Sequence, residues 1–278
     1  MPRHWGTYKP DREEPYEISR SRIEAFLKCP ACFWMDRARG IKFPGMIPFL
    51  LNSATDALLK KDFDVYREIQ KPHPIMKRYG LGHLVPFAHE NLKKWENSLH
   101  FGASPDYFNS LHEPTNLLFG GGLDDVWLNT KTKELHIVDY KSTSKGMNKE
   151  KTALEKINLD GHYSGAYKRQ MDMYTWIMRG KGFEVSNKGY FLYVNGDKHF
   201  EDGMLNDEGN KAKMMFDVQI IEYIANTSWI EKTLHDVKKC LESDTCPEHA
   251  QTGFGSKGDQ PCEYLQLFDG MRENGLIK

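Results

Sequence analysis

Two aspartates and a lysine in the middle of the chain have types and spacing suited to hydrolytic chemistry. Asp139 and Lys141 lie two residues apart in the apolar segment 135–141, and Asp124 follows three consecutive glycines and a leucine. Successive side chains of a β-strand point to opposite faces, so Asp139 and Lys141 should share one face. Burying an acid and an amine is costly unless they have partners. Two carboxylates beside an ammonium group would suit a divalent cation and an attacking water.

The neighbouring sequence predicts the elements that would position these residues. Segments 120–127 and 135–141 are rich in β-branched and aromatic residues, and the polar segment 129–134 between them is typical of a hairpin turn. The same alternation turns Asp125 away from Asp124, so we leave Asp125 out of the site.

A helix is predicted over about 163–179, followed by a buried strand over 188–194. One stripe of this helix carries Tyr163, Tyr167, Gln170 and Tyr174. Tyrosines at this spacing can simply be core, but a glutamine in an apolar stripe needs a polar partner. The order strand, strand, helix, strand predicts an α/β core.

The chain carries three short motifs in order: Gly121-Gly122-Leu123-Asp124, Asp139-Tyr140-Lys141, and Gln170-Met171-Asp172-Met173-Tyr174. In this order they resemble the PD-(D/E)xK nuclease superfamily, and within it the RecB-like exonuclease branch that includes AddB and the CRISPR adaptation exonucleases. The resemblance implies a restriction-endonuclease-like core, in which a mixed central sheet is flanked by helices, with a helical N-terminal insertion.

The resemblance also implies roles for the motif residues. Asp124, Asp139 and the backbone carbonyl of Tyr140 would bind Mg²⁺ or Mn²⁺. Lys141 would orient the attacking water or stabilise developing charge. Catalysis would further use Gln170 and Tyr174, which would position DNA and support Lys141.

A further metal ligand is expected on a helix predicted over about 49–67. Related nucleases usually carry a histidine ligand there, and the matching residue of this chain is Asp56. A carboxylate suits Mg²⁺ and Mn²⁺ because both ions favour oxygen ligands. The alternative is an aspartate on the solvent face of the helix.

The charge of the chain limits the kind of nucleic-acid contact. The formal net charge is −1, which excludes a strongly basic protein that coats DNA non-specifically. Cationic residues are nevertheless concentrated after the hairpin and beside Gln170. We assign nucleic-acid contacts to Lys145, Lys168 and Arg169, together with Gln170 and Tyr174, and expect Lys149, Lys151 and Lys156 to add to the same run. The alternative for each lysine is a solvated loop.

The five cysteines raise the question of a second metal. Cys29-x-x-Cys32 has the spacing of a metal-binding knuckle. Some RecB-like nucleases join their terminal segments through a four-cysteine 4Fe–4S cluster with one early and three late cysteines. In this chain two of the candidate cysteines are early and two are late. One hypothesis places a 4Fe–4S cluster or zinc on Cys29, Cys32, Cys246 and Cys262. The other is that Cys29-Pro30 only packs. Disulfides are not expected in an intracellular protein.

The chain is predicted to form a single nuclease domain, 1–278. Residues 1–18 should be irregular, 19–112 mainly helical with an insertion that holds a helix over about 87–99, 113–241 the core, and 242–278 an irregular segment packed back on the N-terminus. Apolar runs fall short of the roughly 20 residues that span a bilayer, and the first residues lack the apolar segment of a signal peptide. We therefore expect a cytoplasmic, intracellular protein with no membrane partner.

These observations predict a Mg²⁺- or Mn²⁺-dependent deoxyribonuclease, an exonuclease on single-stranded DNA or DNA ends, acting in DNA repair, recombination or defence. One alternative is a non-catalytic nucleic-acid-binding protein that retains the nuclease fold. Another is a subunit of a helicase–nuclease or defence complex that is active only with its partner. The chain has no Gly-x-x-x-x-Gly-Lys-Ser/Thr phosphate loop, so an ATP-driven motor would be a separate protein.

Overall fold

Apolar strands from the middle of the chain form the larger of two sheets. The computed structural model describes residues 7–42, 49–97, 104–147, 153–161, 164–199, 203–254 and 257–276. In chain order the elements are β1 (Tyr16–Ser19), α1 (Arg20–Lys28), α2 (Pro30–Arg37), α3 (Leu50–Glu68), α4 (Pro74–Arg78), β2 (Leu84–Pro86), α5 (Leu92–Trp95), β3 (Asn109–His112), β4 (Leu117–Gly120), β5 (Asp125–Asn129), β6 (Leu135–Thr143), α6 (Ser164–Gly180), β7 (Lys188–Gly196), β8 (Phe216–Ile224), α7 (Ile230–Leu241) and α8 (Glu263–Glu273).

The larger sheet is mixed and has the strand order β2-β5-β6-β7-β8. Its central pair, β6 and β7, is parallel and is connected through α6, while the other neighbouring pairs are antiparallel. A parallel pair needs such a crossover, because two parallel strands cannot be joined by a tight turn. The smaller sheet has the order β1-β4-β3.

Helices cover both faces of the larger sheet because both faces are apolar. On one face, Leu135 and Ile137 of β6 pack in a cluster with residues of α1, α2, α6 and α7. On the other face, Val138 packs with Phe63 of α3 and Met76 of α4. Alternate residues of β6 therefore enter different cores, as strand geometry requires.

The mixed α/β class is confirmed, and so are the hairpin, the helix and the buried strand predicted around the motifs. They correspond to β5 and β6, to α6 and to β7. The first hairpin strand begins later than predicted, because residues 121–124 connect two sheets: β4 ends at Gly120 in the smaller sheet, and β5 begins at Asp125 in the larger one.

The prediction of a mainly helical 19–112 segment is wrong in its second half. Of the expected helix over 87–99, the described residues 87–97 form only α5, and residues 98–99 lie outside the described residues. The segment 19–112 also supplies β2 and β3. The backbone N–H of Phe87 donates to the carbonyl of Val126, so the chain continues the β2–β5 ladder where a helix was expected. The nuclease core predicted as 113–241 thus takes one of its five strands from the N-terminal part.

Two terminal segments are more regular than predicted. Residues 16–19 form β1, whose Tyr16 and Ile18 are buried beside β4. The C-terminal segment 242–278, expected to be irregular, contains α8. α8 has no buried residue, so no apolar stripe marked it in the sequence. Among the described residues, no helix is both long and apolar enough to cross a membrane.

Candidate functional site

Two of the predicted acids come together where β5 begins. The antiparallel β5–β6 ladder starts with Asp125 opposite Val138, and Asp124 is the residue just before it, close enough to Asp139 for the two charges to interact. The backbone N–H of Tyr140 donates to Oδ2 of Asp124 at 2.8 Å, which fixes that carboxylate at the strand edge.

Asp139 is the most enclosed acid of the site, with 1% of its surface exposed. Its Oδ1 accepts a hydrogen bond from Nε2 of Gln170 at 2.7 Å. Its Oδ2 forms an ion pair with Nζ of Lys141 but receives no well-formed hydrogen bond from any residue in the described parts of the chain. A buried carboxylate oxygen with this little hydrogen bonding can still bind a cation.

The charges at this edge of the sheet strongly affect one another. Burial and then the charge of Asp139 raise the pKa of Asp124 to about 6, although the ammonium groups of Lys141 and Lys60 and the Tyr140 N–H act in the opposite direction. Burial lowers the pKa of Lys141, but the charges of Asp139 and Asp124 outweigh it and leave that pKa raised. Lys141 therefore stays protonated beside two acids that repel each other.

Asp56 lies at the same site rather than on a free helix face. α3 is joined to β6 by a short hydrogen bond between the hydroxyls of Thr55 and Ser142. Burial and the charge of Asp124 raise the pKa of Asp56. Its side chain is 34% exposed, and its Oδ2 lies 2.9 Å from Nζ of Lys60.

The predicted stripe of α6 faces the acids. Nζ of Lys141 lies 4.8 Å from the ring centroid of Tyr167. Gln170, expected to support Lys141 and DNA, instead donates to Asp139, and it is buried. Tyr174 is also buried, so neither side chain presents a surface to DNA in this structure. Tyr163 lies outside the described residues.

Tyr174 also explains one glycine of the first motif. A Cβ on Gly121 would lie 2.7 Å from Cε1 of Tyr174, so only glycine allows the ring to approach the turn before Asp124. The ring stacks edge-on against Phe108. Burial raises the pKa of the Tyr174 hydroxyl, while a hydrogen bond from Arg20 lowers it. The sequence did not predict the contact between Arg20 and Tyr174, because no local pattern connects the start of α1 with α6.

The cations assigned to DNA are in different situations. Arg169 forms a double ion pair with Glu24, at 2.9 and 2.5 Å, so its guanidinium holds α6 against α1. Nζ of Lys145 lies 3.8 Å from Glu155. Lys168 is partly exposed and Lys156 is exposed. Lys149 and Lys151 lie outside the described residues.

Asp125 faces away from the site, as predicted, and is fully satisfied on the other face of the sheet. It accepts hydrogen bonds from Arg67 at 2.7 Å, from the Tyr140 hydroxyl at 2.7 Å and from Nε1 of Trp127 at 3.0 Å. Arg67, in the last turn of α3, was not predicted as its partner, although a buried arginine normally needs an acidic partner.

A second group of potential metal ligands joins the two ends of the chain. One ligand atom from each of Cys29, Cys32, His249 and Cys262 lies within 4.8 Å of every other, so the group could hold a metal ion. Nδ1 of His249 is 3.5 Å from Sγ of Cys29, and the sulfurs of Cys32 and Cys262 are 3.3 Å apart. These separations are close to those expected around a tetrahedral zinc ion.

The ligand set differs from the predicted one at one position. Cys246 is exposed and is not a member of the group, so its assignment is wrong and His249 takes its place. Cys29 and Cys32 flank the start of α2, and Cys262 precedes α8. A hydrogen bond from Cys32 lowers the pKa of Cys29 well below its usual value, and the same hydrogen bond raises the pKa of Cys32. A thiolate is the form that binds metals.

The two groups are suited to different ions. Carboxylates and a backbone carbonyl suit Mg²⁺ or Mn²⁺, whereas thiolates and an imidazole suit zinc. A cation bound by Asp124 and Asp139 would relieve the repulsion between them. It would also give Oδ2 of Asp139 a partner besides Lys141. Comparisons with models of known protein families and with curated proteins found no match for this chain.

Proposed function

We propose that the protein is a Mg²⁺- or Mn²⁺-dependent deoxyribonuclease that hydrolyses phosphodiester bonds. The observation that carries the proposal is that the Asp124 carboxylate is held on the backbone N–H of Tyr140, next to Asp139, and that Lys141 is paired to Asp139. Burial and a neighbouring carboxylate raise the pKa of both Asp124 and Asp56, and shifts of this kind beside an amine are typical of functional sites. The arrangement of β5, β6, α6 and β7 supports a PD-(D/E)xK core of the RecB-like type.

Each residue of the site has a role that follows from its contacts. Asp124, Asp139 and the carbonyl of Tyr140 would hold the ion, and Asp56 would complete its ligand set from α3. A divalent ion held there lowers the pKa of bound water and neutralises charge on the reacting phosphate. Lys141 keeps its proton and places a positive charge beside the attacked phosphate. Gln170 fixes Asp139 by its hydrogen bond, and Tyr174 fixes the turn before Asp124.

The preferred substrate is single-stranded DNA or a DNA end, in repair, recombination or defence. Lys145, Lys156 and Lys168 would contact its backbone. The competing proposal is a nuclease fold that binds nucleic acid without cutting it, as a subunit of a helicase–nuclease or defence complex. The presence of both acids and the lysine favours the enzyme.

The test is incubation of end-labelled linear and circular single strands with the purified protein and Mg²⁺, Mn²⁺ or EDTA. We expect metal-dependent loss of the linear strand, the circle being spared by an exonuclease. Binding of both strands without cleavage under every metal condition would favour the non-catalytic alternative. Cleavage that begins only after a partner protein is added would favour the complex subunit.

We also propose that Cys29, Cys32, His249 and Cys262 hold a structural zinc ion. Three thiolates and one imidazole leave no open position in a tetrahedral site, which is typical of structural zinc.

Metal analysis of the purified protein should give one zinc per chain. The visible absorption of an iron–sulfur cluster in anaerobically purified protein would overturn the assignment of zinc. Cys29→Ser should lower the melting temperature by about 5–10 °C, roughly 2–4 kcal/mol for a chain of this size. Cys246→Ser is the matched control and should leave both metal content and melting temperature unchanged.

A further inference from the structure

A second amine, that of Lys60, lies close enough to Asp124 for its charge to act on that carboxylate. Lys60 follows Asp56 by one turn of α3, and its Nζ lies 2.9 Å from Oδ2 of Asp56. Its side chain is only 17% exposed. Enclosing a lysine to this extent is costly unless its ammonium group is paired, and its partner here is Asp56, a candidate metal ligand.

The position of Lys60 is fixed by the packing of α3 on the catalytic strand. The hydrogen bond between Thr55 and Ser142 joins α3 to β6 next to Lys141. Asp56 follows Thr55 directly, so the Asp56–Lys60 pair is brought near Asp124 and the Asp139–Lys141 pair. The carboxylate of Glu96, which also faces Lys60, is held by Lys93 at 3.1 Å.

The ammonium group has donors to spare. It can donate three hydrogen bonds, and within the described parts of the chain it donates one, to Asp56. The three aspartates and two lysines of the site carry one net negative charge, and one bound divalent cation would reverse that sign. A phosphodiester entering the site would then meet two amines, one from β6 and one from α3.

We propose that Lys60 contacts a backbone phosphate of the bound nucleic acid strand, as a binding residue of the proposed nuclease. This inference rests on the proposed function. Asp56 holds the ammonium in place, and the phosphate takes its remaining donors. The neighbouring Lys61 is exposed, so it offers a matched control for the same charge on the same helix.

The experiment measures binding of an end-labelled single-stranded oligonucleotide in Ca²⁺ at several salt concentrations, and cleavage in Mg²⁺, for wild type, Lys60→Met, Lys60→Arg and Lys61→Met. We expect Lys60→Met to weaken binding about 10-fold, as for loss of a hydrogen bond to a charged group. The salt dependence should lose about 0.7 of its logarithmic slope, the value for one phosphate contact on a single strand. Lys60→Arg should restore most of both, and Lys61→Met should leave the slope unchanged.

The outcomes separate this inference from the proposed function. Wild type that cuts DNA, with the slope of Lys60→Met equal to that of wild type, would overturn the Lys60 contact alone. A change only in the Mg²⁺ concentration needed for cleavage would also overturn it, since Lys60 would then act only on Asp56. An equal loss of DNA binding and salt slope in Lys61→Met would also overturn the Lys60 contact, because the effect would then come from the net charge of the helix. Wild type that neither binds nor cuts DNA would overturn both proposals, and the melting temperature of each variant excludes unfolding as the cause.

Discussion

Asp124 and Asp125 are neighbours in the chain, but they enter opposite faces of the sheet and differ in how far their surroundings satisfy them. Asp125 has hydrogen bonds from Arg67, Trp127 and the hydroxyl of Tyr140, and it is fully buried. Asp124 is partly exposed and lies beside a second acid that raises its pKa. A carboxylate that has all its hydrogen-bond partners within the fold stabilises that fold. Two acids that repel each other remain available to bind a ligand.

Tyr140 connects the two faces. Its backbone N–H donates to Asp124, and its side-chain hydroxyl donates to Asp125. The structural acid therefore holds the strand that carries the candidate catalytic residues. Changes on the face of Asp124 should therefore reduce activity, and changes on the face of Asp125 should reduce stability.

The largest expected effect is on activity. Asp139→Ala should reduce cleavage about 10³-fold, because it removes a metal ligand that acts on charge in the transition state. Lys141→Ala should have an effect of similar size. Single-turnover cleavage with saturating Mg²⁺ measures both, and circular dichroism should show an unchanged fold. Cleavage near the wild-type rate in both variants would contradict the assignment of this face to catalysis.

The matching change on the other face should act on stability. Asp125→Ala leaves the guanidinium of Arg67 without its buried partner, and breaking a buried ion pair costs about 3–5 kcal/mol. Urea unfolding measures this loss as a lower midpoint. Arg67→Met combined with Asp125→Leu removes both charges and should recover much of the stability. A midpoint for Asp125→Ala equal to that of wild type would remove the distinction between the faces.

A smaller effect is expected for the residue that holds Asp139. Gln170→Ala should reduce activity or metal affinity about 10- to 100-fold, as is usual when a hydrogen bond to a metal ligand is lost. Gln170→Glu tests the amide itself, because a second carboxylate cannot donate to Asp139. If Gln170→Ala lowered DNA affinity at unchanged metal affinity, the glutamine would contact DNA instead, as the resemblance implies.

The smallest effect concerns pH. The pKa of Asp124 is raised to about 6, so between its ordinary value near 4 and pH 6 the folded protein binds more protons than the unfolded chain. The stability of the metal-free protein should therefore fall as the pH rises through this window. Asp124→Asn should flatten that dependence.

The metal requirement should also depend on pH. Protons compete with the cation for the carboxylate of Asp124, so the Mg²⁺ concentration needed for half-maximal cleavage should rise below about pH 6.

Local patterns predicted the site better than the periphery. The apolar alternation of β6 and the periodicity of α6 are strong signals, and they bring Asp139, Lys141 and Gln170 to one face. The smaller sheet was missed because its strands are only four residues long and β1 is far from β4 in the chain. His249 could not be identified as a ligand, because the fold alone brings it beside Cys29.

The central claim is that Asp124 and Asp139 share one cation. Calorimetric titration of Mn²⁺ into wild type, Asp124→Asn, Asp139→Asn and the exposed control Asp160→Asn tests it without any substrate. We predict one Mn²⁺ per chain at this site in wild type and in the control, and loss of that same ion in each of the other two variants. Undiminished Mn²⁺ binding after either substitution would contradict the shared site.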